Sequence, residues 1–405
     1  PYRPVSSKSE DDIISQAAAE VIDMIDRIYV TTSDTAELEE IKTAYEILPE
    51  TAKAQVTEAR YQKVLEAIGL AKQLAGEDSG VVIEDKSAGN FDINMKEMPN
   101  ASLVMSENGT MFEGYGDVPG AEDTFNNLIS GSNSFTIEAV INPNNYGYSG
   151  ADYNMIASKG DNCAAFRISE QSVYFFIKNT SGDWKIAKKA LTAEQMNSWL
   201  HVAAIYDGNN ISVYLEGSEL TTNANVGAVS YLDCPLGIGY CPETSRLSQL
   251  SMRNIRVYAD ALSKEELDNG TYDSGSDNVV LWYDFDDSKY VGVDTAATGI
   301  RSYTSALSLE LNEEKQIKTS PVPYYAEGEI EYTVKDNSVA AVSADGVVTP
   351  VAAGNTVVTA SVKGTAFSVE IPVTVKAAEV VENPITGKKR QRQSKKAKPM
   401  RLQPA

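Results

Sequence analysis

Histidine is almost missing from this chain. The single one, His201, excludes zinc sites built from several imidazoles and leaves one imidazole for any Ser-His-Asp arrangement. Cysteine is scarce. Cys163, Cys234 and Cys241 contain no CxxC pair, and if Cys234 and Cys241 close a small loop, one thiol stays over. Few cysteines with many Asn and Gly suit a Gram-positive surface protein better than a eukaryotic disulfide scaffold. No run of about 18 apolar residues occurs, so no segment has the length of a membrane-spanning helix. The chain starts PYRPVSSKSE without an initiator methionine or leader, as expected of a mature product or a piece of a longer protein.

Basic residues are also few. Lys and Arg number 35 against 57 Asp and Glu, a net charge of −22. The balance is uneven. Pro384–Ala405 holds eight basic residues and no acid, leaving 27 basic against 57 acidic in the rest. An acidic body repels nucleic acid and anionic membranes and suits neutral sugars, calcium or plain solubility. At roughly 100–200 residues per domain, 405 residues imply two to four domains.

Residues 9–77 carry helical periodicity and read as a three-helix bundle. Ser9 and Asp12 have capping-box spacing, and Ile14, Ala17, Val21, Ile25 and Ile28 form one apolar stripe. Asp34 with Glu37 reads as a second cap before Leu38, Ile41, Tyr45 and Leu48, and Pro49 ends that helix. Tyr61, Val64, Leu65, Ile68 and Leu74 mark a third. Gly76–Gly80 is a hinge by composition.

From Val81 to about Thr298 the chain reads as strands with short turns, a normal length for one β-sandwich. Its centre is Asn197–Leu220. Trp199, His201 and Ala203 alternate with Val202, Ala204 and Tyr206. Asp207–Asn210 supplies a turn tolerant of positive φ, and Ile211, Val213 and Leu215 resume the alternation. Val81–Asp85 and Leu281–Phe285 are expected as first and last strands lying side by side. Ser263 with Glu266 caps a short helix. Residues 303–376 form a further β unit, with Gly346 and Gly354 as turn glycines. The tail 377–405 has no apolar period and is expected to be a disordered basic tail.

Several segments resemble known families. Trp199-x-His201-Val-Ala with Tyr206-Asp-Gly208, followed by Tyr214-Leu215-x-Gly217, resembles the central hairpin of laminin-G-like (concanavalin A-like) jelly rolls. SFTIEAVINP (Ser134–Pro143), IRVYADALSKEEL (Ile255–Leu267) and LWYDF (Leu281–Phe285) fit the same family in its order. This implies an all-β jelly-roll sandwich over 80–300, on a fold that hosts lectins, enzymes and inert spacers alike. DNSVAAVSADGVVTPVAAGNTVVTASV (Asp336–Val362) resembles bacterial immunoglobulin-like domains, with Tyr332 where the family usually has Trp, implying an all-β immunoglobulin-like sandwich over 303–376. Ile41 through Val56 is similar to the FIVAR-like helical modules of Gram-positive surface proteins, which serve as spacers. NPITG (Asn383–Gly387) resembles a sortase signal, but Lys388 follows where the family has an apolar span.

Chemistry has few candidates. Glycosidases need two carboxylates about 5–10 Å apart, and the E-x-D-x-x-E strand motif of β-glucan-cleaving relatives is absent. Glu138 and His201 read as structural members of the sandwich, so no catalytic residue is assigned. Asp85 and Asp92, with Asp284 and Asp286 (beside Asp287), would converge if the first and last strands are neighbours. Such an acid cluster suits calcium, which takes about six to eight oxygens. Sugar binding needs aromatic faces beside amides and carboxylates. Tyr146, Tyr148, Asp152 and Tyr153, together with Trp184 and Tyr240, are the candidates, the competing reading being rings packed over loop edges.

The sequence is therefore read as a monomeric, non-catalytic carbohydrate-binding or accessory region of a secreted or cell-wall-associated protein. Its partner would be a host or cell-wall glycan. The alternatives are a structural or adhesive stalk, or the accessory part of a larger glycoside hydrolase or phosphoesterase whose catalytic domain lies outside this chain.

Overall fold

The protein is described here from a computed structural model, which covers residues 9–29, 35–77, 79–106, 109–144, 154–244, 246–270 and 278–377. The chain divides into two compact units. The first joins 1–303 with 320–329, and the second joins 304–319 with 330–405.

Among the described residues the N-terminal region folds as four helices, one more than the three expected. They are α1 (Glu10–Asp26), α2 (Ala36–Glu46), α3 (Glu50–Val56) and α4 (Glu58–Leu74). Ser9 and Asp12 close the expected capping box on α1. Pro49, expected only as a stop, is also the cap from which α3 begins. Thr57 then adopts φ 72°, a left-handed residue that periodicity does not reveal, and separates α3, which was not expected, from α4, the third expected helix. Val21, Ile25, Leu38, Ile41, Val56, Val64 and Ile68 are buried between the helices, and Tyr45 stacks on Tyr61 with centroids 4.1 Å apart. The stripe of α1 does not run to Ile28 as helix. Ile28–Tyr29 is a short strand paired with Ala101–Ser106, so the bundle is continuous with the sandwich.

Two sheets form that sandwich. Its main strands are β1 (Phe135–Asn142), β2 (Asn154–Ser158), β3 (Ala164–Ser169), β4 (Ser172–Lys178), β5 (Trp184–Ala190), β6 (Leu200–Tyr206), β7 (Ile211–Leu215), β8 (Ser251–Tyr258) and β9 (Val279–Asp284). The larger sheet has β1 between β6 and β8, with β7 beyond β6 and β9 paired to β8. The smaller sheet runs β5, β4, β3, β2, then Gly237–Ile238 and Gly116–Asp117. Ile137, Ala139 and Ile141 of β1 and Val173, Phe175 and Ile177 of β4 are buried in the same core. Phe135 meets Phe175 edge-on at 6.1 Å. Strands of this kind, covered on both faces, read as near-continuous apolar runs.

The central hairpin forms as its sequence implies. Tyr206 pairs with Ile211, Ala204 with Val213 and Val202 with Leu215. Asp207 Oδ1 accepts from the amides of Asn209 (2.9 Å) and Asn210 (2.7 Å), and Gly208 has φ 93°. Buried Tyr206 donates toward the carbonyls of Gly131, Gly208 and Gly227. Two short helices follow the fold's edges, α5 (Glu122–Leu128) and α6 (Lys264–Asn269), the latter with the expected Ser263–Glu266 capping box. The first strand departs from expectation. Gly80–Ile83 pairs with Lys289–Val291 and Ile93–Asn94, and meets β9 through an Asp85–Tyr283 bridge.

The second unit is a small sandwich. Leu307–Leu309 lies parallel to Ser368–Val375, which continues antiparallel to Gly354–Val362 and then Ile330–Val334. Val347–Pro350 lies between Lys315–Gln316 and Ala340–Val342 in the facing sheet. Leu309, Ala340, Val348, Val358, Ala360 and Ile371 are fully buried. Gly346 takes the expected positive φ, 78°, with Tyr332 against it. Gly354 does not. It opens a strand, where an added Cβ would lie 3.0 Å from Val339 Cγ2.

Candidate functional site: the outer face of the smaller sheet

Side chains alternate across a strand, so the residues of β4 that miss the core face outward. These are Tyr174, Phe176 and Lys178. The register sets Lys188, Ile186 and Trp184 of β5 beside them, and Arg167 and Ala165 of β3 on the other side. Met155 of β2 pairs with Arg167. Met155, Ala165, Tyr174, Phe176 and Cys241 form an apolar cluster separate from the main core.

Cations and rings interleave on this face. The Arg167 guanidinium lies 4.7 Å from the Tyr174 centroid and 4.8 Å from that of Phe176, and Lys178 Nζ lies 4.8 Å from the Trp184 ring. Lys178 also donates to Asn162 Oδ1 (2.6 Å), and Trp184 Nε1 donates to the Asp161 carbonyl (3.1 Å). Asp161 pairs with Arg246. Lys188 pairs with Glu170 at 2.7 Å, a hydrogen bond that raises its ammonium above the ordinary lysine range. Asp161, Arg167, Tyr174, Phe176, Trp184 and Ile186, with Arg246, line a shallow depression of about 260 Å³. Trp184 is 56% exposed and Ile186 40%, so the apolar end of this row is open.

Of the sugar-site residues expected from sequence, Trp184 belongs to this depression. Tyr240 does not. It tilts onto Tyr115 at 5.2 Å and donates to Asp117, and burial together with that bond pushes its phenol far above its usual range. Tyr146, Tyr148, Asp152 and Tyr153 lie outside the described residues. Arg167, Tyr174, Phe176 and Ile186 were missed, although RISEQSVYFFIK (Arg167–Lys178) already places Tyr174 and Phe176 two apart.

The acid cluster serves the backbone. Asp85 accepts from the amides of Ser87 (3.0 Å), Phe91 (3.1 Å) and Trp282 (2.8 Å) and from the Ser87 hydroxyl (2.9 Å). Asp92 Oδ1 accepts from the Asp85 amide (2.8 Å). Asp284 accepts from the Asp286 amide and lies 3.3 Å from Lys86 Nζ, which also meets Asp287. Asp286 accepts from the Thr110 amide, and burial pushes its carboxyl above the ordinary range. Thus Asp85 meets Asp92, and Asp284 meets Asp286, but amide donors and the Lys86 ammonium occupy their oxygens. Among the described residues no three metal-binding side chains gather.

Glu138 lies on the outer face of the larger sheet, 1% exposed. Its Oε1 meets His201 Nε2 at 2.6 Å, and its Oε2 accepts from Tyr258 Oη at 2.8 Å with Arg256 Nη1 at 3.6 Å. Both oxygens are engaged across β1, β6 and β8, a structural joint. The three cysteines are free thiols, with no bridge between Cys234 and Cys241.

Residues 115–268 match the family model of the concanavalin A-like lectin/glucanases superfamily, and residues 296–373 that of bacterial Ig-like domains of group 2. An alpha-L-arabinofuranosidase of Bifidobacterium longum subsp. longum is 24% identical over 211 residues, 52% of this chain but 18% of that protein. The chain therefore spans about a fifth of the length of this curated relative. Among solved structures, domain 4 of AbnA, a GH43 extracellular arabinanase from Geobacillus stearothermophilus, in complex with arabinotriose, is 14% identical. It covers 42% of this chain and 75% of its own, with a TM-score of 0.28. The botulinum neurotoxin serotype G binding domain is 11% identical over 47% of this chain and 49% of its own, with a TM-score of 0.35. The binding domain of Paraclostridial Mosquitocidal Protein 1 is 12% identical over 48% and 51%, with a TM-score of 0.33. This chain carries a concanavalin A-like domain followed by a bacterial Ig-like domain.

Proposed function

We propose that the chain is a non-catalytic carbohydrate-binding accessory region that holds a glycan on the outer face of the smaller sheet. The observation that carries this reading is the open Trp184 ring at the end of the Tyr174–Phe176 row. Aromatic rings cover the apolar C–H face of a sugar, and flanking polar groups fix its hydroxyls. Here Asp161, Arg167 and Arg246 line the same depression. The protein works outside the cell, as part of a larger secreted or cell-wall-bound hydrolase, with the Ig-like domain as spacer. Arabinose-containing polysaccharides are the first ligands to test, because the curated relative is named for an arabinofuranosidase.

The test is a glycan array probed with the whole chain and with Trp184→Ala. Binding by the parent and its loss in the variant support the reading. Equal binding by both moves the site elsewhere, and no binding by the parent favours a structural stalk.

A further inference from the structure

Lys159 is a buried cation in an unusual setting. It follows β2 and is 1% exposed. Its Nζ donates to Asn126 Oδ1 and to the Cys234 carbonyl. Among the described residues no carboxylate forms an ion pair with it. A buried lysine without a counter-ion is costly as an ammonium. Asn126 stands on α5, 4% exposed, and its Nδ2 donates to Asp233 Oδ1 at 2.8 Å. An amine, a carboxamide and a carboxylate therefore follow one another in direct contact. The two segments are held together there, since the Cys234 thiol donates to the Lys159 carbonyl at 2.9 Å.

We propose that Lys159 and Asn126 are joined by an intramolecular amide bond, formed with Asp233 as proton relay. Nζ attacks Cγ of Asn126, a C–N bond forms, and the carbonyl electrons move onto Oδ1. The tetrahedral centre collapses, the Cγ–Nδ2 bond breaks, and Nδ2 leaves as ammonia. The proton that Nζ sheds is the proton Nδ2 gains, passed by the Asp233 carboxylate already bonded to Nδ2. The exchange of one amide for another needs no oxidant, reductant or co-reactant.

Separate chemistry favours the nucleophile. Burial lowers the Lys159 ammonium below the usual lysine range, against opposing pulls from Cys234, Cys163, Asp233 and Glu122, and so favours the neutral amine. The bond would close the loop from α5 to the end of β2 and reduce the freedom of the unfolded chain. It uses none of the residues that line the proposed glycan depression.

Intact-mass spectrometry of the purified chain, followed by tryptic mapping, tests this. The expected result is a mass below the sequence mass by one ammonia, with no cleavage after Lys159 and one branched peptide containing Lys159 and Asn126. Asn126→Ala and Asp233→Ala should both return to their sequence masses. The proposal is overturned by a parent at its full sequence mass with ordinary peptides. Ammonia loss mapped to a succinimide at Asn108-Gly109 or Asn269-Gly270 overturns it equally. A branched peptide surviving in Asp233→Ala removes Asp233 from the mechanism.

Discussion

The two outer faces of the jelly roll are built from the same two-residue alternation and finished in opposite ways. On the larger sheet, Glu138 gathers His201, Tyr258 and Arg256 across three strands. Beside it Ala203, Ile205 and Tyr214 pack against Leu267 of α6. On the smaller sheet, Arg167 and Lys178 lie over rings, and the row ends in exposed Trp184 and Ile186. One face spends its polar groups on itself and has a helix over it. The other keeps apolar ring surface open beside polar groups. The fold is common to both, so function follows from which face is left unfinished.

That contrast can be broken most severely at Glu138. Glu138→Ala removes the acceptor shared by His201, Tyr258 and Arg256 and should cost about 3–5 kcal/mol in a urea titration. It should leave glycan affinity of the folded fraction unchanged. A loss below about 1 kcal/mol, the scale of one ordinary hydrogen bond, would mean the network is not a joint. Phe176→Ala should cost about 3 kcal/mol, because the ring is only 5% exposed. Unlike the first change, it should also weaken glycan binding, and unchanged affinity would detach the row from the site. At the small end, chelator should leave the thermal melt where it is, since amide donors and Lys86 already occupy the acid cluster. Heat in a calorimetric calcium titration would contradict this.

Much of the fold was legible in the sequence. The hairpin at Asp207–Asn210 and the boxes at Ser9 and Ser263 depend on contacts within a few residues, which spacing encodes directly. Thr57 escaped notice because its left-handed turn lies between two apolar stretches of the same period. The site was legible only in part. SVYFFIK (Ser172–Lys178) is apolar on both faces, so its outward members cannot be told from its core members without the register against β3 and β5. Trp184 stood out because it follows a polar turn. Tyr240 stood out because it follows a glycine-rich turn, but its contacts with Asp117 and Tyr115 are made by distant segments that no local pattern reveals. The acids at Asp85 and Asp284–Asp287 stood out as a cluster in the sequence, yet their use as amide acceptors depends on backbone geometry.

The measurement that tests the central claim most directly is glycan binding by Trp184→Ala beside its own unfolding curve. Trp184 makes one carbonyl hydrogen bond, so the variant should lose no more than about 1 kcal/mol of stability. Its affinity should fall by at least about tenfold, the scale of one lost ring contact. A variant that binds as tightly as the parent would contradict the account, because the open face of the smaller sheet would then not be the binding face.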